Sequence, residues 1–287
     1  MRTRMMHLIF LLAVLTSALA AAPFSRIYSY GDSLSSALFT NGPVAVELLA
    51  GRLNLPMASL SNYAVGGATT GIGNYLDGGT VTNPSPRGGL TTQLNQTLAG
   101  INPADALFVV WGGPNDFLAP DPTDSFPDQV AVRAVTNLVG IVTALQGAGA
   151  QHILVPGLPK LGLTPFYLGL PPPAAQQANA LSMGFNNLLQ ASLPANVIFF
   201  DTAALMQQVL GNPDAFGFTN TTASCLTTSG PCVNPAKYFF WDDFHPTTAA
   251  HEILADRFQA AVVPEPATIV LVFAAISAMV VARRFQG

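Results

Sequence analysis

The sequence predicts an α/β protein built on a mainly parallel, doubly wound sheet, and two observations carry that expectation. Short apolar runs alternate along residues 23–262 with longer stretches of helical spacing, the order that lays strands side by side with helices crossing over them. The runs are apolar along nearly their whole length, as strands buried on both faces must be. In such a sheet a site is expected at the carboxyl ends of the strands.

The elements follow in order. Ile-Tyr-Ser-Tyr at 27–30 reads as the first strand, with a helix at 43–53 and a weaker strand near 57–60. Residues 90–98 are helical, and Ala-Leu-Phe-Val-Val-Trp at 106–111 is a further strand. The clearest helix is 128–146, where Val132, Val135, Leu138, Val139, Val142 and Leu145 recur at helical spacing and Gly147 ends the pattern. Strands at 152–155 and 197–200 and helices at 174–191, 202–210 and 247–260 complete the series. Loops rich in Gly, Pro and Thr lie at 66–89, 112–127, 156–173 and 211–235; loops of that length in a compact domain usually frame a site. No repeat or compositional break divides the body, so one domain is expected over 21–262.

The two ends differ from the body. Residues 1–20 carry Arg2 and Arg4, an apolar stretch over 8–15 and then Ala18-Leu19-Ala20, the layout of a secretory signal peptide. At the other end Val263-Pro264-Glu265-Pro266 precedes sixteen apolar residues, 267–282, and Arg283-Arg284. Sixteen residues make about 24 Å of helix, short of a roughly 30 Å hydrocarbon core, so this segment spans a membrane with help from its flanks. The two arginines would hold the tail on the cytoplasmic side. This end resembles the PEP-CTERM sorting signal of Gram-negative bacteria. The resemblance implies a membrane-bound processing enzyme of the exosortase type, anchoring in the inner membrane until cleavage near the motif, and then a cell-surface or extracellular location.

Charged residues make up only 9% of the chain, against roughly 25% in ordinary soluble proteins, which agrees with export. Within the body, seven basic residues face fourteen acidic ones, a net charge of −7. Such a surface repels phosphates and argues against a nucleic-acid partner. The two cysteines, Cys225 and Cys232, flank Gly230-Pro231. In an exported chain a pair this close is expected to form a structural disulfide around a surface loop.

Four loops bring reactive residue types to the predicted sheet edge. Ser33 follows the first strand, in Gly31-Asp32-Ser33-Leu34, where a strand-to-helix loop presents a hydroxyl beside backbone N–H groups. A serine nucleophile needs a base. Of the four histidines, His7 falls in the leader, His152 opens a strand, and His251 sits on the last helix in a surface or packing role. His245 remains, with Asp242 three residues ahead of it, close enough in a turn to orient the imidazole. Asp243 is the neighbouring alternative. Acyl transfer also needs donors for an oxyanion. Asn115, in Trp111-Gly112-Gly113-Pro114-Asn115-Asp116, offers an amide, and Gly67, in Asn62-Tyr63-Ala64-Val65-Gly66-Gly67, offers an unobstructed N–H, with Gly66 as its alternative.

In these blocks the sequence resembles the GDSL, or SGNH, hydrolases, a family of lipases and esterases. The resemblance extends over residues 25–260 and implies a three-layer α/β/α, flavodoxin-like fold. It also implies Ser33, His245 and Asp242 as a catalytic triad, with the Ser33 N–H, the Gly67 N–H and the Asn115 side chain as the oxyanion hole. No metal or cofactor enters the implied chemistry. The flanking residues look most like the subgroup of plant GDSL lipases and bacterial autotransporter esterases. The expected activity is hydrolysis of carboxylic esters, with a lipid, a short-chain ester or an acetylated carbohydrate as substrate. The alternatives are an O-deacetylase acting on exopolysaccharide and a surface or matrix binding protein without catalysis.

Overall fold

The computed structural model describes residues 24–263; the expected signal peptide and all of the sorting segment except Val263 lie outside the described residues. Five parallel strands form the central sheet: β1 (Arg26–Gly31), β2 (Leu60–Asn62), β3 (Ala106–Trp111), β4 (His152–Pro156) and β5 (Ile198–Phe200). Their spatial order is β2-β1-β3-β4-β5. The helices are α1 (Ala45–Arg52), α2 (Leu90–Thr97), α3 (Pro114–Leu118), α4 (Pro127–Gly147), α5 (Pro165–Leu168), α6 (Pro172–Ser192), α7 (Thr202–Gly211) and α8 (Thr248–Val262).

Alternation along the strands creates the three layers, because successive side chains point to opposite faces. Ile27, Leu107, Val109, Trp111 and Leu154 pack against α1, α7 and α8. Tyr28, Tyr30, Phe108, Val110, Ile153 and Val155 pack against α2, α4 and α6. Every residue of β3 is buried, as expected of a central strand covered on both sides. The chain thus has the three-layer, mainly parallel fold that the sequence predicts.

Three departures from the predicted elements have a local reason. Residues 57–59 form a turn, with the Ser59 N–H donating to Pro56 O at 2.8 Å, so the strand begins at Leu60. Helix α6 starts at Pro172 and not at 174, because proline is accommodated in the first helical turn. In α4 the buried stripe is Val130, Ala131, Ala134, Val135, Leu138, Ile141, Val142 and Leu145; Val132, counted in the predicted stripe, is 54% exposed. That helix is long and apolar enough to cross a membrane by length and composition, yet this stripe from Ala131 to Leu145 lies in the core against the sheet.

Between α7 and α8 the chain leaves the main sheet. Strand β6 (Asn220–Ser224) pairs in parallel with β9 (Tyr238–Phe240), and between them β7 (Leu226–Thr227) and β8 (Gly230–Pro231) make a small hairpin. Cys225 and Cys232 are bonded to each other and close that hairpin, the pairing that the sequence predicts.

Candidate active site

Strands β1 and β3 are neighbours, while β2 lies on the far side of β1. In a 2-1-3-4-5 sheet the chain changes direction between these two strands, and a crevice opens at their carboxyl ends. The segments leaving β1 and β3 carry Ser33 and Asn115.

The end of β1 is fixed from both sides. Gln93 of α2 accepts a hydrogen bond from the Gly31 N–H at 3.0 Å and donates its Nε2 to Gly31 O at 2.9 Å. A Cβ on Gly31 would stand 2.9 Å from Trp111 O, so only glycine lets the two strand ends approach so closely. The next residue, Asp32, is fully buried and accepts from the Leu34 N–H at 2.9 Å, capping the tight turn Ser33–Ser35. Ser33 is thereby left half-exposed between buried neighbours.

Asn115 lies in the first turn of α3, whose Pro114 suits the helix start. Its Nδ2 donates to Ala68 O at 3.1 Å and to Asp32 Oδ2 at 3.4 Å, which fixes the amide between the loops leaving β1 and β2. Asp116 beside it is buried and accepts from the Thr70 N–H at 2.9 Å and from the Thr70 hydroxyl at 2.6 Å. Burial pushes both Asp32 and Asp116 up to about 7, outweighing the donors that favour their ionised forms. Gly67 has φ +79°, and a Cβ there would meet Asn74 Oδ1 and Leu76 Cγ at 2.6 Å. Both the backbone conformation and the space therefore call for glycine.

The imidazole arrives from the opposite direction. His245 Nδ1 lies 2.8 and 2.9 Å from the two oxygens of Asp242. Asp242 Oδ1 also accepts the N–H groups of Phe244 and His245, each at 2.8 Å. Burial pushes the Asp242 carboxyl up, but the imidazole's hydrogen bond and charge and the two N–H donors outweigh it and hold the group below the ordinary carboxylate value. Asp243, the neighbouring candidate, is exposed and accepts instead from the Ser224 hydroxyl at 2.6 Å.

Ser33, Gly67, Asn115 and His245 line one cleft of about 230 Å³, whose walls include Leu34, Pro159 and Phe244; Gly66 is not among its lining residues. His251 is elsewhere and 1% exposed, and its Nδ1 accepts from the Ala45 N–H at the start of α1 at 3.3 Å. Burial, assisted by the charge of His245, pushes it down to about 3, so it is a neutral helix cap, in keeping with the packing role expected of it. Among the described residues no three His, Cys, Asp or Glu side chains gather as a metal ion requires. The sequence reading missed Gln93 and the roles of Asp32 and Asp116. A lone glutamine on a polar helix carries no signal of the strand end it binds.

A sheet of this order, with a hydroxyl, an amide and a carboxylate-held imidazole around one cleft, holds the groups that acyl transfer needs, and the protein is a hydrolase acting on ester bonds. The profile of the GDSL-like Lipase/Acylhydrolase family matches residues 27–258, and the chain belongs to that family. It is 30% identical to acetylajmalan esterase 2 of Rauvolfia serpentina, over 86% of this chain and 94% of that protein. It is 32% identical to the esterase EstA of Pseudomonas aeruginosa, over 86% of this chain but 48% of that protein, so the chain spans about half of that relative's length. In fold it is similar to phospholipase A1 from Streptomyces albidoflavus, with a TM-score of 0.53 at 15% identity, over 83% of this chain and 99% of that one.

Proposed function

We propose that the protein is an exported serine esterase in which Ser33 is the nucleophile. Ser33 Oγ attacks the acyl carbon of the ester while His245 takes its proton, and Asp242 holds the imidazole in the tautomer whose Nε2 is free to accept. The negative charge that develops on the carbonyl oxygen is met by the N–H groups of Ser33 and Gly67 and by the Asn115 amide, which exchanges its longer hydrogen bond to Asp32 for the oxyanion. His245 then returns the proton to the departing alcohol, and water, activated by the same imidazole, releases the acid from Ser33. The observation that carries this reading is the gathering of Ser33, Gly67, Asn115 and His245 around one cleft, with Asp242 bonded to the imidazole.

The test is hydrolysis of p-nitrophenyl esters from acetate to palmitate by the full chain and by Ser33→Ala. Hydrolysis by the parent protein, reduced by 10⁴-fold or more in a folded variant, is expected by analogy with other serine hydrolases. Equal rates in the two would remove Ser33 from the mechanism.

The location belongs to the same proposal. Residues 1–20 direct export, and residues 263–287, with a spanning segment at 267–282, serve as a PEP-CTERM sorting signal processed by an exosortase-type enzyme. What supports this is the order of motif, apolar span and basic pair in the sequence. Mass spectrometry of the surface form from its native host should find the chain beginning near residue 21 and ending near Pro266; a mature form retaining Arg283-Arg284 would rule out the cleavage.

A further inference from the structure

No residue lining the cleft lies on helix α2, yet α2 grips the chain beside both backbone donors of the proposed oxyanion hole. Gly31, two residues before Ser33, is held by Gln93 through its N–H at 3.0 Å and its carbonyl at 2.9 Å. Thr69, two residues after Gly67, accepts at its carbonyl from the Leu90 N–H at 2.8 Å. Beyond it, Gly71 O accepts from the Thr91 N–H at 3.0 Å, Thr70 O from the Thr91 hydroxyl at 2.9 Å and Ile72 O from the Thr92 hydroxyl at 3.0 Å. The first turn of a helix leaves N–H groups without partners inside the helix. Gly89, at the N-cap, has no side chain to offer them, so the carbonyls of the Gly67 loop take that place.

We infer that α2 sets the gap between the Ser33 and Gly67 N–H groups, and that Gln93 is the positioning residue through which it holds the serine side. The inference rests on the serine-esterase reading above and adds to it a residue that never meets the substrate. Ser33 and Gly67 stand on loops leaving different strands, and the pairing of β1 with β2 stops at Ser29 and Asn62, four and five residues short of them. Donors stabilise a developing charge best when already in place, and a displacement of about 1 Å can cost roughly 10²-fold in rate. One helix bonded to both loops fixes their separation.

Gln93 suits this task because its amide offers an acceptor and a donor together, as a peptide group of a neighbouring strand would. It does so past the end of β2, where the Val65 N–H, at 3.1 Å from Gly31 O, also reaches the strand end from the loop. Gln93 is 5% exposed, so methionine there would leave the Gly31 N–H without its partner and shielded from water. A glutamate carboxylate accepts from that N–H but has no proton for Gly31 O. A protonated glutamate has both.

The test measures kcat and KM for p-nitrophenyl acetate in the full chain and in variants whose tryptophan fluorescence matches the parent's at each pH. Gln93→Met should lower kcat about tenfold or more with KM little changed. Gln93→Glu should show a similar loss at about pH 8, and its kcat relative to the parent should climb back toward one as the pH falls to about 5. Taking the ratio cancels His245 and the residues flanking Gly31, Tyr30 and Asp32, which both proteins share. A folded Gln93→Met with the parent's kcat, a loss confined to KM, or a Gln93→Glu ratio that stays flat with pH would overturn the inference. If neither Gln93 variant folds, Thr91→Val decides, since it loses the hydroxyl bond to Thr70 O and keeps its own N–H. It should lower kcat several-fold at constant KM, and an unchanged kcat would then overturn the inference. Absence of Ser33-dependent hydrolysis in the parent removes the esterase reading and the inference with it, whereas Ser33-dependent hydrolysis with parent-like Gln93 variants removes the inference alone.

Discussion

The two sides of the cleft are built differently. Ser33 and Asn115 leave the ends of adjacent central strands, held by Gln93, Asp32 and Asp116, side chains that are all buried. His245 and Asp242 belong to a segment outside the main sheet. That segment is tied down by the short β6–β9 pairing, by the Cys225–Cys232 bond, and by hydrogen bonds from the Cys225 N–H to Phe240 O and from the Leu226 N–H to Trp241 O. The Trp241 N–H in turn donates to His245 O at 2.7 Å. The serine side thus takes its rigidity from the core of the fold, whereas the histidine side takes it from a local staple. The difference separates what each side tolerates: disturbance of the cystine should reach His245 and leave Ser33 in place.

The largest expected effect lies within the histidine side. Asp242→Asn should lower kcat about 10⁴-fold, the cost of presenting the wrong imidazole tautomer, while Asp243→Asn, whose carboxylate faces Ser224, should stay within a few-fold of the parent. Steady-state kinetics on one ester decides this, and equal losses would merge the two aspartates into one role. On the serine side, Asn115→Ala should cost about 10² to 10³ in kcat with KM little changed. A loss confined to KM would make Asn115 a substrate-binding group and not an oxyanion donor.

The comparison is tested most directly by replacing both cysteines with serine. The bond closes a ring with a sequence separation of 7, for which loop entropy gives about 2.5 kcal/mol of stabilisation. Hydrogen exchange should accelerate at the Phe244 and His245 amides and stay unchanged at the Gly31 amide, which Gln93 holds. Equal acceleration at both would show that the two sides are mechanically one.

The smallest effect concerns pH, and here two sets of buried groups have opposite signs. His251 is held neutral, down to about 3, while in the unfolded chain it takes up a proton below about pH 6.5. Its contribution to stability is complete above that pH and is lost on acidification. Asp32 and Asp116, up to about 7, keep protons that the unfolded chain releases above about pH 4, so their contribution falls as pH rises from about 4 to 7. Replacing His251 with Gln, whose side-chain oxygen can still accept from Ala45, removes the rising term. Urea unfolding between pH 4 and 6 should then show a slope more negative by about one proton, about 1.4 kcal/mol per pH unit. An unchanged slope would mean that His251 binds its proton equally in both states.

The same division explains how much was legible in the sequence. Ser33, Asn115 and His245 each sit in a short contiguous block beside a strong strand or helix signal, so their convergence followed once the strands were read as parallel. The residues alone left Asp242 and Asp243 open, because adjacent residues in a turn point in directions that depend on their donors; the family spacing selected Asp242, the one that holds the imidazole. Gln93 was invisible because its partners are backbone atoms 62 residues away in sequence, and backbone atoms carry no residue code. The β6–β9 pairing was missed because Asn-Thr-Thr-Ala-Ser is polar and only half-buried, with neither a two-residue alternation nor an apolar run to betray it. Val132 was assigned to the wrong face because one apolar residue fits the helical period as well as its neighbours until the facing elements are known.

One consequence of this layout concerns time. The crevice joins the turn after the first strand to the turn before the last helix, so a chain made from its amino end displays Ser33 roughly 210 residues before His245 exists. At synthesis rates of about 5–20 residues per second, the serine waits about 10 to 40 s without the proposed base. On the proposed mechanism a growing or truncated chain is therefore chemically silent toward nearby esters, and activity begins only once the product is almost complete.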